Sequence, residues 1–298
     1  MHLLKGTLAS LHIALNTAFW CIPIYALAIP RFLLPVPSWR RAAGSLMGRA
    51  ADGWVACNRL VLLRVLRLTR IESTWQLAEP LDRQRWYLVI SNHQSWADIF
   101  VLQDTFLGRI PPLKFFNKRE LIWVPLIGFA MWLLDFPYVR RYSRDALAAN
   151  PDLRRHDQAT TVKACEQFRV RPTSVLNFLE GTRFTDAKHR AQASPFRHLL
   201  TPKTGGFGYV RASLGDRIHQ VVDATIVYPH GVPSFWDFLC GRCPEARIDV
   251  VSVEAPHFHL EHVGDDGLPA DLRERLRLWT DSLWARKDAR IDELLGSR

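Results

Sequence analysis

The chain has 298 residues, 48% of them apolar and 23% charged, enough to bury a large core; this excludes a disordered tail, a collagen-like fibre and a small disulfide scaffold. Lys and Arg outnumber Asp and Glu by 39 to 29, and a net charge of +10 narrows the partners to nucleic acid or an anionic membrane surface. Five cysteines, an odd number spread over the whole length, suit a reducing compartment better than a disulfide framework.

From Gly6 to Pro30 no Lys, Arg, Asp or Glu occurs, a tract long enough to cross a hydrocarbon core of about 30 Å. Pro23 and Pro30 leave two forms open, a transmembrane helix and a hairpin dipping into one leaflet. A cleavable signal ending near Ala26-Leu27-Ala28 is the lesser alternative. Lys5 alone precedes the tract, whereas Arg31, Arg40, Arg41 and Arg49 follow it, which places the bulk of the chain on the cytoplasmic side. Residues 50–70 predict a basic amphipathic helix, suited to an anionic bilayer surface or to packing on the core. Residues 1–70 therefore read as a membrane anchor with an interfacial helix, and 71–298 as the globular domain.

Strands are predicted at 86–91, 137–139, 174–179, 221–228 and 247–253, and helices at 96–107 and 157–169. The alternation suggests an α/β sheet with layers of helix around it, and the fold expected is α/β with a mixed central sheet flanked by helices. Residues 121–134 carry no charge but are too short to span a bilayer; they read as a buried helix or as a wall for a greasy substrate. The polar stretch 185–206 reads as a loop. Residues 270–295 predict an amphipathic helix that packs Leu272, Leu276, Trp279 and Leu283 on the core.

Chemistry concentrates at two strand ends. After 86–91 comes Asn92-His93-Gln94-Ser95-Trp96-Ala97-Asp98. On a continuous helix His93 and Asp98 would point about 140° apart. With His93 in the strand-to-helix loop and Asp98 in the first turn they can meet. A carboxylate on one imidazole nitrogen then leaves the other free to take a proton from an alcohol. Ser95 lacks the Gly-x-Ser-x-Gly elbow of a nucleophile, so direct attack by a substrate oxygen is expected. After 174–179 comes Glu180-Gly181-Thr182-Arg183, in which Arg183 can grip a phosphate and glycine permits close approach. Lys118 and the pair Arg140-Arg141 bracket the apolar run, an arrangement suited to an anionic head with a long tail. Cys240 and Cys243 lack a second pair at zinc spacing, and no nucleic-acid motif is present.

Together these stretches resemble the glycerophospholipid acyltransferase superfamily, the 1-acylglycerol-3-phosphate acyltransferases, and its bacterial membrane-bound members most closely. Asn92-His93 with Asp98 matches the family's Asn-His-x4-Asp motif and Glu180 to Arg183 its Glu-Gly-Thr-Arg motif. Arg141 matches the arginine closing the second motif, and Pro229 in Asp-Ala-Thr-Ile-Val-Tyr-Pro the proline of the fourth. The resemblance runs from about residue 80 to 235. It departs at Asp135, where the family has a small residue, and at Arg140, where it has an acid. The Tyr-Pro form of the fourth motif is closer to the lysocardiolipin acyltransferases.

The resemblance implies that His93 is the base and Asp98 its orienter. It makes Glu180, Gly181, Thr182, Arg183, Arg141 and Lys118 the substrate-binding residues. The 2-hydroxyl of 1-acyl-glycerol-3-phosphate, or of another lysophospholipid, would attack acyl-CoA or acyl carrier protein. No metal or other cofactor is expected. The expected partners are these substrates and anionic membrane lipids, with no nucleic acid, at a bacterial inner membrane. A catalytically idle membrane adaptor is the competing class, and the intact His93/Asp98 pair argues against it.

Overall fold

The computed structural model of the protein describes residues 1–34, 36–139, 161–163, 165–258 and 268–296. Arg140 and Arg141, singled out above, lie outside the described residues. Six strands form one sheet: β1 (Arg70–Gln76), β2 (Trp86–Ser91), β3 (Leu113–Phe115), β6 (Ser174–Phe178), β7 (Ile218–Val227) and β8 (Glu245–Val253). Two short strands, β4 (Asn117–Lys118) and β5 (Tyr138–Val139), pair apart from it. The order is β1-β8-β7-β2-β6-β3, with every pair parallel except β7 with β8, so the sheet is mixed as expected. The labelled helices are α1 (His2–Leu33), α2 (Pro37–Asn58), α3 (Ala97–Phe106), α4 (Ile127–Leu133), α5 (Asp186–Gln192), α6 (Gly205–Leu214), α7 (Phe235–Leu239) and α8 (Ala270–Gly296).

Side chains alternate across a strand, so an apolar run covered on both faces feeds two cores. In β2, Leu88 and Ile90 join one core with Val175, Phe207, Leu276 and Trp284. Tyr87 and Val89 join the other with Leu62, Val101, Leu102 and Phe238. Helices α6 and α8 therefore cover one face, and α3, α7 and the N-terminal segment the other. The expected C-terminal core helix is confirmed.

The first tract forms one continuous helix through Pro23 and Pro30, and α2 folds back against it. Asn16 Nδ2 donates to Trp54 O (3.0 Å) and Asn58 Oδ1 (2.8 Å), while Arg31 lies against Met47, which fixes an antiparallel hairpin. Gly53 admits the Trp20 ring; a Cβ there would stand 2.2 Å from it. One side of α1 buries Ala9, Cys21, Ile24 and Ala28, while Leu8, Leu15, Phe19, Ile22 and Phe32 are exposed.

Three expectations need correction. The helix read at 50–70 ends at Asn58, continues as a π-helical segment (Arg59–Val65), and turns at Arg67 with φ 48° into β1. Its Leu62 is core and its Arg59 pairs with Asp104, so this segment packs on the globular part. The loop read at 185–206 contains α5, capped by Thr185 Oγ1 accepting from Lys188 N. The run 121–134 is helical only in part and is buried on one side only: Ala130, Leu133 and Leu134 join a core with Ile24 and Met47, while Trp123, Leu126, Phe129 and Trp132 are exposed. It is a half-buried segment whose outer side is an apolar wall.

Candidate active site

Strands β2 and β6 are parallel neighbours, with Ser91 opposite Phe178, so the two motifs predicted at strand ends emerge side by side. Asn92 anchors the first. Its Nδ2 donates to Ile226 O (2.9 Å) and its Oδ1 accepts from Ile226 N (2.9 Å), clamping the loop to β7. His93 then leaves the sheet, and α3 starts at Ala97, as the spacing argument required.

The pair meets. Asp98 Oδ2 lies 2.8 Å from His93 Nδ1 and also accepts from Gln94 N (2.7 Å) and Ser95 N (2.9 Å). Asp98 Oδ1 accepts from the Tyr228 hydroxyl (2.6 Å). The carboxylate is fully buried in the first turn of α3, where the helix dipole favours its negative charge. The imidazole ring stacks on Phe178, with centroids 4.0 Å apart. These contacts fix the ring by one nitrogen and one face. Nε2 has no hydrogen-bond partner among the described residues and is the atom left to meet a ligand. Ser95 is no nucleophile: its Oγ donates to Pro233 O (2.7 Å) and accepts from Ala97 N (3.2 Å).

Glu180 takes a different place from the one expected. It is fully buried, and Oε1 accepts from His93 N (2.8 Å) while Oε2 accepts from Leu200 N (3.0 Å). Both oxygens hold backbone, so the side chain builds the site and does not reach toward a phosphate. Burial pushes its carboxyl up to about 7, against the pull of the two N–H donors and of Lys287. A third tie, Phe184 N to His93 O (2.7 Å), joins the two motif loops. Gly181 turns the chain at φ +68°, a conformation that favours glycine.

Arg183 sits over the Trp96 ring at 5.1 Å, which ties the second motif to the loop that carries His93. Lys188, which the sequence reading did not single out, donates to Thr182 Oγ1 (2.8 Å) and Arg183 O (2.9 Å). Tyr228 was missed as a site residue as well; the signal was the Tyr-Pro form of the last motif. Lys118 is exposed at the end of β4, and no contact among the described residues joins it to the His93 cluster. Arg141 lies outside the described residues. Among the described residues no three His, Cys, Asp or Glu side chains gather in a metal-binding group.

A His/Asp pair with one imidazole nitrogen unpartnered among the described residues, and an arginine stacked over Trp96, thus sit together at the carboxyl ends of β2 and β6. The family model described as Acyltransferase matches residues 73–232, and the chain belongs to this family. Lysocardiolipin acyltransferase 1 of Mus musculus is 26% identical over 85% of this chain. The 1-acyl-sn-glycerol-3-phosphate acyltransferase alpha of Bos taurus is 27% identical over 74%. The chain spans 64% and 65% of the length of these two relatives. The crystal structure of the 1-acyl-sn-glycerophosphate acyltransferase PlsC from Thermotoga maritima superposes with a TM-score of 0.54 at 17% identity, covering 100% of this chain and 99% of that one.

Proposed function

We propose that this acyltransferase moves a fatty acyl group from acyl-CoA or acyl carrier protein to the sn-2 hydroxyl of 1-acyl-glycerol-3-phosphate, giving phosphatidic acid. The observation that carries the reading is the His93–Asp98–Tyr228 chain, which presents one imidazole nitrogen to the cleft. Nε2 takes the hydroxyl proton as the acceptor oxygen attacks the thioester carbonyl. Asp98 stabilises the imidazolium so formed. The tetrahedral intermediate collapses, the C–S bond breaks, and the thiolate takes the proton back from Nε2. No acyl-enzyme forms, since Ser95 is committed to backbone. Arg183 holds the acceptor phosphate, Glu180 and Asn92 position the His93 loop, and Gly181 and Thr182 shape the turn that carries Arg183.

The tyrosine form of the last motif and the lysocardiolipin relative favour a second acceptor, a lysophospholipid with a larger phosphate head. Thiol release with lysophosphatidate or monolysocardiolipin as acceptor tests the two directly. A higher kcat/KM for lysophosphatidate supports the first reading; the reverse order replaces it with the second.

The reading includes a membrane-surface location, at the cytoplasmic face of a bacterial inner membrane. Helix α1 is long and apolar enough to cross a membrane by length and composition. Its ends, however, are tied to the globular part, His2 Nδ1 to Cys240 O (2.9 Å) and Arg31 to Asp135 (3.1 Å). A helix fixed along its length in this way lies on one leaflet with its apolar side immersed. Flotation of the protein with anionic vesicles, resistant to high salt, is expected; a purely salt-reversible association would exclude immersion.

A further inference from the structure

A cavity of 910 Å³ opens between the hairpin and the globular part, at the end of the sheet opposite His93. Gln84, Pro111 and Thr173 line it, residues that precede β2, β3 and β6, whereas the catalytic residues follow β2 and β6. Five residues of β6 separate the two ends by about 16 Å. The volume lies within the roughly 300–1,000 Å³ of small-molecule sites.

The described wall carries eight cationic side chains and two carboxylates. Asp135 alone faces three of the cations: Arg171 Nη2 at 2.5 Å, Arg31 Nη2 at 3.1 Å and Lys114 Nζ at 3.8 Å. One carboxylate does not neutralise the two arginines, whatever the charge on Lys114. Burial pushes Lys114 down to about 7; the pull of Asp135 is opposed by repulsion from Arg171 and Arg31. Asp52 is taken by Arg83. Arg40, Arg41, Arg49 and Lys163 have no ion-pair partner among the described residues. The site is also built: Gly44 of α2 is bare where a Cβ would stand 2.3 Å from the Arg171 guanidinium, so the hairpin closes directly on the cationic cluster.

The same rim is apolar on the hairpin side. Phe32 and Trp132 line the cavity and stack on one another with centroids 5.8 Å apart, and Leu33 and Leu34 continue the exposed apolar edge at the hairpin turn. A basic cavity bordered by exposed apolar side chains is complementary to a molecule whose phosphate is fixed to acyl chains lying in a bilayer.

We propose that this cavity is a second lipid site, distinct from the catalytic cleft, that takes the phosphate head of an anionic phospholipid of the membrane on which the hairpin lies. The proposal deepens the membrane-surface reading and rests on it for the lipid's orientation. Arg41, Arg49 and Lys163 meet the head, while Asp135 keeps Arg31, Lys114 and Arg171 in place behind it. The departure of Asp135 from the family pattern thereby acquires a physical role: it gathers the cations and ties α1 to the sheet.

The test uses the full chain in dodecyl maltoside and reads melting temperature during titration with dihexanoyl phosphatidylglycerol, dihexanoyl phosphatidylcholine or inorganic phosphate. The expected result is a saturable rise with phosphatidylglycerol and none with phosphatidylcholine. R41Q/R49Q should weaken the response at least about tenfold; if that double variant does not fold, K163Q serves instead and should weaken it to a smaller degree. R273Q/R275Q, which removes the same charge from α8 on the opposite sheet face, and R183Q, which disables the cleft arginine, should respond as wild type. Equal loss in R273Q/R275Q would reduce the effect to general surface charge and overturn the site. Loss in R183Q alone would place the lipid in the catalytic cleft. A response to inorganic phosphate at the same midpoint would make free phosphate the ligand and overturn the lipid assignment. Because binding is read without turnover, failure of the transfer reaction and failure of this site are separate results.

Discussion

Replacing Asp98 by asparagine separates the charge of this residue from its geometry. Oδ2 faces His93 Nδ1 and two backbone N–H groups, which can only donate. In Asp98→Asn the amide oxygen must therefore take that position, since its NH2 would meet two donors. The NH2 then faces Tyr228, whose hydroxyl can turn and accept. The imidazole keeps its tautomer and loses only the negative partner of the imidazolium. A charge-assisted hydrogen bond contributes about 1.5–3 kcal/mol against about 0.5–1.5 for a neutral one. The difference, about 1–2 kcal/mol, corresponds to a fall in kcat of about 5- to 30-fold. Where the wrong tautomer is imposed on a serine-protease triad the fall is about 10⁴-fold. Thiol release at saturating donor and acceptor, with a melting curve on the same sample, distinguishes the cases. A fall near 10⁴-fold at unchanged melting temperature would refute the orientation derived from the two N–H donors. A fall under about twofold would remove the Asp98 charge from the mechanism.

Further expectations follow from the buried charges. Glu180 has its carboxyl raised to about 7 from 4.5, so between these pH values the folded state holds more protons than the unfolded chain. Stability should therefore rise as pH falls from 7 toward 4.5, by about 3 kcal/mol at most, and Glu180→Gln should flatten that slope in urea titrations at several pH values. Lys287, fully buried, bonds Asp223 (2.7 Å), Ala224 O and Thr225 Oγ1. Lys287→Met strands the Asp223 charge and should cost about 3–5 kcal/mol, with Lys287→Met/Asp223→Asn recovering part of the loss in the same urea assay. Gly181→Ala forces φ +68° on an alanine and should cost about 1–2 kcal/mol, with a larger KM for the acceptor as the Arg183 turn shifts.

The His93/Asp98 contact was legible in the sequence because its geometry is local: a strand end, a four-residue gap and a helix start fix where the two side chains can meet. The central strands were legible because burial on both faces leaves an unbroken apolar run. Strand β1 was not, because Arg70-Ile-Glu-Ser-Thr-Trp-Gln76 is a mostly exposed edge that owes its place to pairing with β8. Three-residue β3 is too short to carry a pattern. Glu180 was assigned to the phosphate because its motif neighbours Arg183; only the backbone donors at His93 and Leu200, 87 and 20 residues away, reveal its position. Tyr228 acts over 130 residues on Asp98, which no local pattern encodes. The exposed side of 121–134 was hidden for the opposite reason: an uncharged run looks the same whichever of its residues face a core.

The central claim is that His93 activates an acceptor hydroxyl for attack on an acyl thioester. The most direct measurement is thiol release from a long-chain acyl-CoA by the purified protein, with and without lysophosphatidate, beside His93→Ala. The account predicts release that requires the acceptor and falls at least about 10³-fold in the variant, while the melting temperature stays within a few degrees. Acceptor-dependent release that survives in a folded His93→Ala protein would contradict it.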